Sequence, residues 1–236
     1  KSEMYTYLKT HNKIVFVNLD DAIQNDKTTD FNRITFSQKD TSANVFINEV
    51  SANPFVKIKT LNTEIKSHLI GLYNANNINA AITIGNHFGI SASEIKEAIE
   101  SYIPENNRSQ LITKNSNEII LDAYNANPSS MKVALENFIQ LENKNKIAIL
   151  GDMYELGEES LAEHKYIVDF ISENNSLECY FVGKDFFKNK SENPNFHFYE
   201  SFEMFSNSLR NTNWKDKTIL IKGSRGMALE RTLEYI

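Results

Sequence analysis

Apolar and polar positions alternate in two different ways along this chain, and the change falls near its middle. The first third carries short β-branched runs. Lys13-Ile14-Val15-Phe16-Val17-Asn18 ends at Asp20-Asp21, and Asn44 to Val50 forms a second run. Val56 to Thr60 and Thr63 to Lys66 alternate and are separated only by Leu61-Asn62. That pattern predicts an antiparallel hairpin with one wet face. A helix is predicted from Asn74 to about Phe88. Ser91-Ala92-Ser93-Glu94 is a capping-box signature, and Ile95, Ala98, Ile99 and Tyr102 behind it share one helical face. Pro104 and Glu105-Asn106-Asn107 interrupt the pattern, and a domain boundary is placed there, giving segments 1–105 and 106–236.

Beyond the boundary, strand-like and helical runs alternate. Glu118 to Asp122 precedes a helix opening near Ser129, and Lys146 to Gly151 precedes one from about Glu158 to Glu173. Glu178 to Gly183 precedes a shorter helical stretch. Phe198-Tyr199 precedes Phe202 to Leu209, and Thr218 to Lys222 precedes a last helix from about Met227. Repeated β-α units predict a mostly parallel, Rossmann-like sheet with helices on its faces, so the expected class is α/β. Such sheets take ligands at the carboxyl ends of their strands.

Composition narrows the picture. The 236 residues are 41% hydrophobic and 24% charged, with a net charge of −6. This is ordinary for a globular protein and offers no basic excess for nucleic acid. No apolar stretch approaches the ~20 residues that span a bilayer. The single cysteine, Cys179, lies in an apolar run and reads as a buried strand residue. The opening Lys-Ser-Glu-Met-Tyr is neither a signal peptide nor a natural initiator, so a longer parent is expected.

Candidate chemistry gathers at the strand ends of the second half. Asp122-Ala123-Tyr124-Asn125-Ala126-Asn127-Pro128 leaves a strand and enters a helix. An Asp there accepts ribose hydroxyls, and the same string is also good turn and N-cap chemistry. Gly151-Asp152-Met153-Tyr154-Glu155-Leu156-Gly157 places two carboxylates in a Gly-bounded loop. They either orient a substrate or favour a helix N-terminus. His164 falls on the apolar stripe of its helix, as a satisfied interior His or a functional one. Lys222-Gly223-Ser224-Arg225-Gly226 combines two cations, a hydroxyl and two glycines between a strand and a helix. It suits a carboxylate or phosphate, or is a tight turn with exposed charges. Dinucleotide, phosphate-loop, zinc and nucleophile-elbow motifs are absent from the sequence.

The ordered set goes further. Gly71-x-x-Asn74-x-x-Asn77-x-x-Ala80-Ala81, Arg108, the Asp122–Pro128 string, Gly151-Asp152-Met153-x-Glu155-Leu156-Gly157, His164 and Lys222-Gly223-Ser224-Arg225 together resemble the Mur ligases, from about Gly71 onward. The strings at Asp122 and Gly151 are similar to the branch that joins D-alanyl-D-alanine to UDP-N-acetylmuramoyl-tripeptide. The resemblance implies that residues 1–105 are the tail of a central ATP-binding domain and 106–236 a complete C-terminal domain. It implies ATP as a substrate, an acyl-phosphate intermediate, and a cytoplasmic, monomeric enzyme of peptidoglycan precursor synthesis. Mg²⁺ is implied too, with its ligands and the phosphate loop upstream, so the chain alone is expected to be inactive.

By the same resemblance, Asn74 and Asn77 serve the adenine, Arg108 the nucleotide and Asp122 the ribose. Asn125 and Asn127 face the junction of nucleotide and acyl group. Lys222, Ser224 and Arg225 meet the incoming dipeptide or the peptide carboxylate, with Asp152, Glu155 and His164 as further cleft residues. Tyr73 stands where the family often has His. Ligases adding other amino acids, folylpolyglutamate synthases and a non-catalytic nucleotide- or peptide-binding module are the alternatives.

Overall fold

A computed structural model describes residues 2–143, 145–173, 177–210 and 212–236, without the Ser2 side chain. The chain divides into two compact units, Lys1–Ile103 and Pro104–Ile236.

The first unit is built on a five-stranded sheet ordered β1-β2-β3-β4-β5. β1 (Val15–Asn18), β2 (Arg33–Ser37) and the start of β3 (Val45–Ala52) are parallel. β3, β4 (Phe55–Thr60) and β5 (Thr63–Ile70) form an antiparallel meander. The predicted hairpin is β4–β5. Leu61 and Asn62 both take left-handed φ values, 50° and 59°. A two-residue turn with both φ positive matches the twist of the flanking strands. Helices α1 (Ser2–Thr10) and α2 (Ala22–Lys27) accompany the parallel half, and α3 (Ala75–His87) and α4 (Ala92–Ser101) follow β5. The Ser91–Glu94 capping box is present. Alternate residues Val56, Ile58 and Ile65 pack with Ile78, Ile82 and Ile95 of the helices, so each element buries one face.

The second unit has a six-stranded sheet ordered β10-β9-β8-β11-β7-β6. β6 (Gln110–Lys114) is antiparallel to β7 (Asn117–Asp122). β8 (Lys146–Gly151), β9 (Glu178–Val182), β10 (Phe196–Tyr199) and β11 (Thr218–Lys222) all run parallel with β7. The last strand therefore sits between β7 and β8. Every residue of β11 is buried, as expected where helices cover both faces of a parallel strand. Ile147, Ile149, Ile219 and Ile221 face Phe205, Leu209, Met227 and Leu229. The alternate residues point to the other face, where α5 (Pro128–Gln140), α6 (Ser160–Ser172) and α7 (Lys184–Phe187) pack side by side. Cys179 is buried in β9.

Five features depart from the sequence reading. The strands β2 and β6 and the helices α1 and α2 were not anticipated. α8 (Phe202–Leu209) was, but the last predicted helix is two 3₁₀ turns, Arg225–Met227 and Leu229–Tyr235. Ala228 between them has φ 48°. A left-handed residue cannot continue an α-helix, so the turn tightens on either side.

Candidate functional site

In the second unit, three loops leave the carboxyl ends of the adjacent strands β7, β11 and β8. Their polar residues bond across loops. Lys222, the last residue of β11, is 2% exposed. Its Nζ donates to Asp122 Oδ2 at 2.6 Å and to the Asn125 carbonyl at 3.2 Å. A buried ammonium needs such partners, because desolvating a lone charge costs several kcal/mol. Ser224 ties the other side. Its N–H donates to the Asp152 carbonyl at 3.1 Å, and its Oγ accepts the Tyr154 N–H at 2.8 Å. The turn after β11 is thus a clasp on its two neighbours; Lys222, read from the sequence as part of an anion site or as an exposed turn charge, is buried in an ion pair with Asp122.

Asp122 sits at the edge of this clasp. Its other oxygen accepts the Ser109 N–H at 3.1 Å. Arg108 lies exposed next to it in sequence, its guanidinium carbon 3.8 Å from the centre of the Tyr124 ring. A stacked guanidinium keeps a fixed plane and retains its donors. Asn125 is exposed, and its Oδ1 accepts the Ala126 N–H at 2.9 Å. Asn127 caps α5, its Oδ1 accepting from Ser130 N at 2.8 Å and Ser129 Oγ at 2.9 Å. The turn-and-cap reading of this string is therefore present in full.

The loop after β8 is held from inside. His164 is fully buried; its Nε2 accepts the Met153 N–H at 2.9 Å and its Nδ1 lies 2.6 Å from the Ser160 carbonyl. That arrangement fixes a neutral ring with the proton on Nδ1. Asp152 accepts N–H groups from Asp185 at 3.1 Å and Phe186 at 3.0 Å, at the start of α7. Burial pushes its carboxyl up from the ordinary carboxylate range, against the pull of those two amides. Glu155 is exposed with φ 64°. Arg225 is also exposed and pairs with Glu230 at 3.0 Å.

Asn74 and Asn77 belong to the first unit. Asn74 is buried, donates to the Ile70 carbonyl at 2.8 Å and accepts from Asn77 Nδ2 at 3.1 Å. Asn77 lines a cleft of ≈ 530 Å³ with Phe16, Asn18, Asp20, Gln38 and Lys39. Asp20 accepts from Ser37 Oγ at 2.6 Å and Gln38 N at 2.7 Å, joining the ends of β1 and β2. Sequence reasoning missed Asn18, Asp20 and Tyr154. The signal was a polar cluster closing an apolar strand. Among the described residues, no three His, Cys, Asp or Glu groups converge as metal ligands.

A family model described as "Mur ligase, glutamate ligase domain" matches residues 107–225. The UDP-N-acetylmuramoyl-tripeptide–D-alanyl-D-alanine ligase of Buchnera aphidicola subsp. Baizongia pistaciae is 36% identical over 214 residues, covering 86% of this chain and 45% of that protein. The protein of the same name from Bacillus subtilis is 31% identical over 175 residues, 70% of this chain and 38% of that one. MurF from Acinetobacter baumannii superimposes with a TM-score of 0.78 at 22% identity, over 94% of this chain and 51% of that one. MurF ligase from Thermotoga maritima in complex with ADP gives 0.77 at 20% identity, over 95% and 53%. The two structural likenesses establish the fold. The chain spans about half, or less, of the proteins it matches. With half of its length under the family model and its fold shared with solved members, the chain belongs to the Mur ligase family.

Proposed function

We propose that the chain is part of an ATP-dependent ligase that adds D-alanyl-D-alanine to UDP-N-acetylmuramoyl-tripeptide in cytoplasmic peptidoglycan precursor synthesis. Residues 1–105 belong to its ATP-binding central domain and 106–236 form its C-terminal domain. One observation carries the reading. Asp122, Lys222 and Ser224, apart in sequence, join three loops at the carboxyl edge of a parallel sheet, where such sheets take ligands. The names of the relatives supply the substrate class.

In this reading the terminal carboxylate of the tripeptide is phosphorylated by ATP, the dipeptide amine attacks the acyl phosphate, and phosphate leaves. The residues of this chain position and shield rather than bond covalently. Asn77, oriented by Asn74, reads the adenine edge, and Arg108 lies against the nucleotide. Asp122 has one oxygen on Lys222 and one on the Ser109 amide, and its remaining lone pairs take ribose hydroxyls. Asn125 and Asn127 face the junction of nucleotide and acyl group. Lys222, Ser224 and Arg225 shape the turn that meets the peptide substrates, while Asp152, Glu155 and His164 set the neighbouring loop. Holding these groups before the substrates arrive lowers the entropic part of the barrier.

The test is ligation by the intact enzyme, read as ADP and peptide product. Product from D-alanyl-D-alanine, with the ATP KM of Asp122→Ala raised roughly tenfold to a hundredfold, supports the proposal. ADP release that needs a different amino acid moves the chain to another branch of the family. Nucleotide binding with no acceptor-dependent turnover leaves a binding module.

A further inference from the structure

The edge strand β6 carries Arg108 to the carboxyl end of β7. The two strands pair antiparallel, with Gln110 opposite Leu121. Continued past the strand ends, the same register sets Ser109 beside Asp122 and Asn107 beside Tyr124. The hydrogen bonds follow it. The Ser109 N–H donates to Asp122 Oδ1 at 3.1 Å, and the Tyr124 N–H donates to the Asn107 carbonyl at 3.1 Å. Arg108 therefore stands on a short segment tied down on both sides. The backbone there is unusual as well. Asn107 and Ser109 take left-handed φ values of 57° and 50°, with Arg108 between them. Residues other than glycine enter that region at a cost, and two so close persist only where the surrounding contacts impose them. Such positions gather at ligand clamps.

The side chain is fixed by a further contact. Arg108 is exposed, and its guanidinium carbon lies 3.8 Å from the centre of the Tyr124 ring. The ring covers one face of the guanidinium and leaves the other face open. Two other cations at this edge are neutralised, Lys222 by Asp122 and Arg225 by Glu230. The Tyr124 ring holds Arg108 without cancelling its charge. Tyr124 is itself 42% exposed, while Ala123 and Ala126 of the same loop are buried. The loop is thus anchored by its alanines, and an aromatic ring left that open contributes little to the core.

We propose that Tyr124 is a positioning residue: its ring holds Arg108 in the plane that meets the adenine nucleotide, beside the aspartate that takes the ribose. This rests on the proposed ligase activity and on Arg108 lying against the nucleotide. Without the ring, a long side chain with many rotamers has to be ordered as ATP binds, and that ordering weakens binding.

The experiment is a double-substitution cycle in the intact enzyme, with ATP and D-alanyl-D-alanine each varied in turn. Tyr124→Leu keeps apolar bulk and removes the π face. It raises the ATP KM roughly threefold to tenfold and leaves the dipeptide KM as it was. Tyr124→Phe keeps the face and recovers most of the loss. In an Arg108→Met background, where no charge is left to hold, Tyr124→Leu adds nothing further. Melting curves matching the wild type show that the variants are folded. Equal losses from Tyr124→Leu with and without Arg108 overturn the positioning role while the ligase reading stands. So do a loss spread equally over both substrates, a Tyr124→Phe enzyme as impaired as Tyr124→Leu, or an Arg108→Met enzyme with the wild-type ATP KM. A wild-type enzyme that does not ligate the dipeptide overturns both.

Discussion

The loops after β7 and β8 each carry an aspartate to the same edge of one sheet, and the two are stabilised by opposite means. Asp122 meets a single side chain, Lys222, a hundred residues away in sequence, and its own side chain stays 15% exposed. Asp152 meets two backbone amides of α7 and the neutral His164, and its side chain is 6% exposed. A carboxylate at an open edge, held by one cation and one amide, keeps lone pairs that solvent can reach. A carboxylate sealed among amides keeps lone pairs that are buried, and it holds the start of a helix. Residue type and position at the strand end are nearly the same, so the environment separates a carboxylate open to solvent from one built into the fold.

The largest expected effect comes from breaking the Asp122 side. Asp122→Asn leaves Lys222 buried without a counter-charge, and unfolding in urea should show a loss of about 3–5 kcal/mol. Replacing both groups, as Asp122→Asn with Lys222→Met, should restore most of it. A single substitution with no loss would mean that water already solvates the ammonium, and the contrast between the two loops would fall.

The Asp152 side is probed through its neighbour. Gly183 has φ 131°, and a Cβ there would lie 2.2 Å from the Asp152 carboxyl carbon. Gly183→Ala should cost about 1–3 kcal/mol from the backbone alone and displace the carboxylate from α7. Wild-type melting temperature in this variant would show that the pocket around Asp152 yields, contrary to a sealed site.

The smallest effect is in pH. Burial raises the Asp152 carboxyl above its ordinary value of 3.8, so the folded state holds that proton more tightly than the unfolded chain. The resulting stability is complete below pH 3.8 and is lost as pH rises through the folded value. Asp152→Asn should remove a slope of at most about 1.4 kcal/mol per pH unit over that window, while the wild type retains it. Identical slopes would assign the titration elsewhere.

Much of this was legible in the sequence, because period and punctuation are local. The alternation around Leu61-Asn62, the Ser91–Glu94 box and the buried runs of β8 and β11 all appeared where expected. The edge strand β6 was not, since Gln110 to Lys114 is only half-buried and carries little pattern. Its place is set by pairing with β7. The candidate site was legible as a set of residues and not as an arrangement. Nothing local in Lys222-Gly223-Ser224-Arg225 tells which cation is buried against Asp122 and which is exposed against Glu230. The left-handed turn at Ala228, where an α-helix was expected, leaves no periodic trace in the sequence.

The central place of β11 also has a consequence in time. The strand made last in this unit is the one that β7 and β8 share as a neighbour. During synthesis those two strands can emerge and collapse early, yet the slot between them stays vacant until Thr218 to Lys222 arrives. Contacts of such long sequence separation close slowly. A chain stopped before Thr218 would therefore expose two apolar strand edges and hold none of the clasp. The clasp then closes only when β11 takes its place between β7 and β8.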